Sequence, residues 1–171
     1  MKMPMLKDLI SIPVMLLLSV LQMAAISRIN LINGAADLVL LAIAAWGVKE
    51  KSSNVYVWAV VGGLLISFIT GMPLLSPLIP YLFSAFITCK LAKILWQSPL
   101  LALIVSMIAG TLFQHFFYIV ILQISGLNIG FIESMVNVTL PSLLLNFFFM
   151  FPVYVVINDI WVWTSAERIN A

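Results

Sequence analysis

Strongly polar side chains are scarce in this chain, and five of them stand inside apolar runs: Asp37, Gln114, His115, Asn137 and Asn146. In a hydrocarbon setting such groups are costly, so each demands a partner or a role. Asp37 lies about one turn inside its run. Four roles are open to it: pairing with Arg28, binding a cation, holding a partner, or reaching water as an interfacial carboxylate. His115 is the sole histidine, next to Gln114 and one turn after Thr111. One histidine cannot supply a two-histidine haem site. It can ligate a single pigment or hydrogen-bond a neighbouring helix, worth about 1 kcal/mol or less. Asn137, Thr139, Ser142 and Asn146, with Pro141 and Pro152, make a polar, kinked segment. Either it lines a cavity, where freed backbone groups find partners, or its side chains glue helices together. Glu133 and Asp159 flank the same run and read as solvated ends.

Catalytic inventories come up short. There is no Gly-x-Ser-x-Gly elbow, no HExxH, no His/carboxylate metal cluster, no Walker loop and no pair of carboxylates sharing a helix face. Cys89 is alone, outside any CxxC pattern, and reads as a small packing residue. The expectation is a protein that is not an enzyme and carries no cofactor or metal.

The elements that must position these groups follow from composition. Of 171 residues, 64% are hydrophobic and 8% charged, with mean hydropathy +1.20. A soluble domain carries roughly 25% charge, so lipid is the expected solvent. At roughly 20 apolar residues per crossing, the length allows about six spans. They are expected near 9–27, 35–48, 55–71, 78–96, 99–125 and 134–161, as one transmembrane domain over 1–171. The run 9–27 also fits a signal peptide, with Lys2 and Lys7 ahead of it and Ala24-Ala25 near a cleavage site; it is read here as the first helix. The 72–77 loop is uncharged, and Gly126 and Gly130 read as turn residues. The net charge of +2 comes from scattered basic residues, which offers nothing to nucleic acid.

Orientation follows from those basic residues. With the N-terminus inside, Lys2, Lys7, Lys49, Lys51, Lys90, Lys93 and Arg168 face the cytoplasm, and only Arg28 lies outside. Trp46, Trp58, Trp96, Trp161 and Trp163 all fall at the same inner interface, where indoles prefer to sit. Both termini are expected in the cytoplasm.

Two ridges of small residues recur at four-residue spacing: Ala59, Gly63, Ser67 and Gly71, then Ala102, Ser106 and Gly110, the second ending at Gln114. Such ridges let helix backbones approach in lipid, where helices gain little from hydrophobicity against one another. They are either internal seams, which could face each other, or docking faces for a partner helix. The 55–71 helix is taken as the centre of the arrangement.

Two stretches resemble the MreD family of rod-shape-determining membrane proteins. Ala36-Asp37-Leu38-Val39-Leu40-Leu41, leading to Trp46, is similar to that family's Pro-Asp/Asn-x-x-Leu-Leu run, with Ala36 where proline is usual. Residues 63–75, GLLISFITGMPLL, resemble its Gly-x-x-x-Asp-x-x-Ser-Gly-x-Pro-Leu-Gly pattern, with Ser67 in place of the aspartate and Leu75 in place of the last glycine. The resemblance implies a non-catalytic scaffold of the cell-elongation, peptidoglycan-synthesising complex in the bacterial inner membrane. Its partner would be an MreC-like bitopic protein, linked indirectly to MreB, RodA and the associated transpeptidase. It also implies a fold like the S-components of energy-coupling-factor transporters. Two other readings stay open: a vitamin- or metal-binding S-component, and a small accessory subunit of a respiratory or photosynthetic complex.

Overall fold

The computed structural model describes residues 9–24, 33–50, 54–70 and 76–166. Among these the chain is all-helical, with no β-strand. The helices are α1 (Ser11–Ala24), α2 (Leu38–Glu50), α3 (Asn54–Ile69), α4 (Leu78–Ile94) and α5 (Pro99–Ile124). A turn at Phe131–Ser134, a π-helical turn at Met135–Thr139 and the helix Leu140–Ala166 run on continuously and are together called α6. The expected bounds agree with the observed helices to within about five residues where they can be compared.

Local chemistry sets the boundaries. Pro99 opens α5, where its missing N–H costs nothing. Gly126 closes it with φ +91°, a left-handed turn that glycine adopts without a Cβ penalty. The Gly126 N–H donates to Gln123 O and the Leu127 N–H to Leu122 O, the paired bonds of a Schellman motif. Pro152 lies within α6 and does not break it. Pro141 acts differently. It has no N–H to give the carbonyl four residues back, which is that of Asn137. That carbonyl instead accepts the N–H of Asn33 at 3.3 Å, next to the π turn.

The centre of the molecule is α2, not α3 as the ridge pattern suggested. Every residue from Ala36 to Val48 is buried. α2 packs against α1, α3, α4, α5 and α6. The surrounding helices form a ring in the order α1, α3, α4, α5, α6, each packed on the next, and the ring stays open between α6 and α1. A helix so placed must be slim, and LVLLAIAAWGV supplies small and aliphatic side chains with one large exception. That exception, Trp46, stacks on Trp58 of α3 with centroids 4.2 Å apart. Both indoles are fully buried. The expected role of these two tryptophans as interfacial anchors is therefore corrected: each ring finds its partner across the α2–α3 contact. Trp96 and Trp163 do remain exposed.

Polarity is inverted relative to a water-soluble globule. Asp37, Ser67, Ser84, Thr88, Ser106, Thr111, Gln114, Ser142 and Asn146 are buried, while Leu17, Phe68, Phe86, Leu144, Phe148 and Val155 face outward. α5 and the stretch Phe131–Ser165 are long and apolar enough to cross a membrane.

Gly34 lets the segment before α2 lie on α6. A Cβ there would come within 2.6 Å of Ser142 N and 2.7 Å of Pro141 Cβ. Gly34→Ala is expected to cost about 1–3 kcal/mol through forced backbone displacement. Gly130→Ala is the control, because its Cβ would meet only the Glu133 side chain at 3.4 Å or more. Thermal unfolding followed by size-exclusion fluorescence should lower the midpoint of the first variant and leave the second near wild type.

Candidate functional site

The segment 33–37 is not helical; Gly34, Ala36 and Asp37 are buried, while Asn33 and Ala35 are exposed. Its alternate backbone N–H groups all turn to α6. Asn33 donates to Asn137 O at 3.3 Å, Ala35 to Ser142 Oγ at 3.1 Å, and Asp37 to Asn146 Oδ1 at 2.7 Å. Two residues of extended chain advance roughly 6.6 Å, and four helical residues roughly 6 Å. A donor at every second residue therefore keeps step with acceptors spaced about one turn apart on a parallel helix.

Asp37 ends this segment and caps α2. Its Oδ1 accepts the Leu40 N–H at 2.9 Å, an N-cap bond. Its Oδ2 accepts the Tyr81 hydroxyl at 2.8 Å and Gln114 Nε2 at 2.7 Å. Asn146 passes the network on, donating Nδ2 to Thr111 Oγ1 at 2.9 Å. Gln22 Oε1 accepts the Val39 N–H at 3.4 Å, a longer contact from α1. One carboxylate thus joins α2, α4 and α5 directly and α6 through its own backbone. Three donors into an acceptor-only group match the hydrogen-bonding pattern of a carboxylate and offset its desolvation.

This geometry corrects one reading of Asp37. It is 8% exposed, so it is not an interfacial carboxylate reaching water. Arg28 lies outside the described residues. Asn146 and Ser142 bind backbone and neighbouring helices, while Asn137 contributes its carbonyl and leaves its amide at an outer crevice. His115 turns away from its neighbour Gln114: its Nδ1 sits 3.1 Å from Thr139 Oγ1. Tyr81 was not anticipated from the sequence. Its place near the start of α4, just after Pro80, carries no local sign of a buried carboxylate partner. Tyr118 was also missed, although it stands four residues after Gln114 and receives a weak 3.4 Å bond from it.

The small-residue ridges are consumed inside the chain. Ala59, Gly63 and Ser67 are buried, and a Cβ on Gly63 would lie 2.8 Å from Leu78 Cα of α4. Ala102, Ser106 and Gly110 are buried too, and a Cβ on Gly110 would meet Ser84 of α4 at 3.1 Å and Leu40 of α2 at 3.4 Å. The two ridges therefore do not face each other. Both are covered, chiefly by α4, which leaves neither free as a docking face for a partner helix. Ser67 and Ser106 bond their own helices at Gly63 O and Ala102 O, while the buried Ser84 hydroxyl facing Gly110 has no partner among the described residues. Gly71 lies outside the described residues.

Two spaces remain. A groove of about 480 Å³ fills the opening of the ring, lined by apolar residues of α1, Leu38 and α6. A smaller cavity of about 270 Å³ lies between α5 and α6 beside His115, Tyr118 and Thr139. Among the described residues no cluster of three or more His, Cys, Asp or Glu side chains could hold a metal ion. No family model, curated protein or solved structure matches this chain.

Replacing Asp37 by Leu strands the donors of Leu40, Tyr81 and Gln114. An unsatisfied buried polar group costs about 1–3 kcal/mol, so this variant is expected to lose the folded state in detergent. Asp37→Asn keeps an acceptor for Leu40, and Tyr81 can turn its hydroxyl to accept, so it should retain a cooperative transition at a lower midpoint. Equal midpoints for the two variants would show that the carboxylate does not organise the network.

Proposed function

We propose that this chain is a non-catalytic scaffold of the MreD type in a bacterial cell membrane. In this reading it is a six-span protein with both termini cytoplasmic. It seats the single transmembrane helix of an MreC-like bitopic partner, and through that partner joins the cell-elongation complex with MreB, RodA and its transpeptidase. The Asp37 and Gly63 stretches that carry the resemblance lie at the capped start of the central helix and at the α3–α4 seam.

The observation that carries the proposal is the open ring. Six cylinders of equal width close around a seventh, and α2 has five packed helical neighbours. The sixth place lies between α1 and α6. It is walled by Leu17, Leu18 and Leu21 on one side and Val153, Val156 and Ile160 on the other, with Leu38 of α2 at its floor. A guest helix there gains dispersion contacts with three helices at once, the main source of helix association in lipid. The polar network supports the same reading, because its groups are largely occupied with one another and hold the ring rigid around the vacancy.

The test is site-specific photo-crosslinking in cells that co-express the chain with an MreC-like bitopic protein. A photoreactive residue at Val156 or Leu17 should give a crosslinked band of the combined mass. The same residue at Phe68, exposed on α3 away from the groove, should give none. Crosslinks at Phe68 with none at Val156 or Leu17 would reject the groove as the seat.

A further inference from the structure

The space between α5 and α6 differs from the Asp37 network in one respect: its polar groups are not used up. The inner cavity of about 270 Å³ has apolar walls in Ile119, Leu122 and Val138, with Tyr118 and His115 at its inner end. An outer cavity, also about 270 Å³, shares Ile129, Ser134 and Val138 with it, so the two adjoin along the α5–α6 crevice. The mouth carries Asn33, Asn128, Glu133 and Asn137. Together the two spaces fall within the range of small-molecule sites, roughly 300–1,000 Å³. The π turn Met135–Thr139 forms one wall, and such turns are frequent at functional sites.

Hydrogen-bonding capacity is left over along the whole crevice. Among the described residues, the side chains of Asn33, Asn128, Glu133 and Asn137 make no hydrogen bond, and Tyr118 accepts one but donates none. Gln114, one turn from Tyr118, has a buried Oε1 with no partner. The mouth therefore offers a carboxylate and amide oxygens, with no cationic side chain among its lining residues. Carboxylate and amide oxygens at the rim select a donor-rich cation. An apolar shaft with an aromatic end selects a flat, apolar body.

We propose that the α5–α6 crevice is a binding site for a small primary amine on an apolar body, its ammonium held at Glu133 and the mouth asparagines and its body reaching Tyr118 and His115. This site is separate from the groove between α1 and α6, and its occupancy does not depend on a partner helix there. The same chemistry could be supplied by a water-soluble arylalkylamine or by the headgroup of an ethanolamine lipid.

The probe is tyramine, added to the full chain in phosphatidylcholine nanodiscs and followed by saturation-transfer NMR. Saturable binding in the millimolar range or tighter is expected. Glu133→Gln should weaken it about threefold to fivefold, the value of an exposed charge pair, and Glu133 is a surface position that should not disturb folding. Val138→Trp should fill the inner cavity and remove binding altogether. The carboxylate analogue 3-(4-hydroxyphenyl)propionate should not bind. Competition when the nanodiscs contain phosphatidylethanolamine would identify lipid as a source of the ammonium, and its absence would favour the soluble amine. Three results would overturn the proposal: no saturable tyramine binding to the wild type, equal binding of the carboxylate analogue, or unchanged affinity in Glu133→Gln.

Discussion

A backbone that leaves the helical conformation inside an apolar bundle must find an acceptor for every N–H it exposes. The chain meets this constraint at Asn33, Ala35 and Asp37, and much of the structure follows from how it does so. The acceptors come from α6: one carbonyl released by Pro141, one serine hydroxyl and one asparagine amide oxygen. Because these bonds are satisfied in the interior, α2 can begin deep in the molecule instead of at its rim. A helix of 13 residues then serves as the axle for five longer or equal neighbours.

The Asp37 carboxylate turns that lead-in into a joint. Capping needs only one oxygen, which leaves the other free to collect donors from α4 and α5. Since Tyr81 and Gln114 come from different helices, neither can shift along its axis without losing a bond to the same atom. The apolar contacts around α2 are less directional. The tight glycine seams at Gly63 and Gly110 set how closely the helices approach, and the carboxylate sets how they are aligned along their lengths.

Much of this was readable in the chain before the structure. Apolar run lengths place the helices, and proline and glycine place their ends. Asp37, Gln114, Asn146 and Ser142 stand out because polar groups are rare in such runs, and they do meet. What one dimension hides is which faces meet. α2 and α3 look alike in composition, so the axle cannot be told from the rim. Trp46 and Trp58 each read as an anchor when taken singly, because a stack between two helices leaves no local trace. The glycine ridges announce close approach without saying to what. Tyr81 carries the chemistry of an interfacial residue, and only the location of Asp37 makes it a buried donor.

The π turn has a consequence at the level of the gene. It sets Ser142 five positions rather than four after Asn137, as though one codon had been added to an ordinary helix. Deleting a single codon within Met135–Thr139 would restore an ordinary helical turn and leave the facing of later residues unchanged, whereas deleting one at Leu140 or Pro141 would swing everything downstream by about 100°. Ser142 and Asn146 would then point away from Ala35 and Asp37. Variation in this gene is therefore tolerated unevenly: the loss of one residue inside the π turn keeps the facing of α6, and the same loss just beyond it does not.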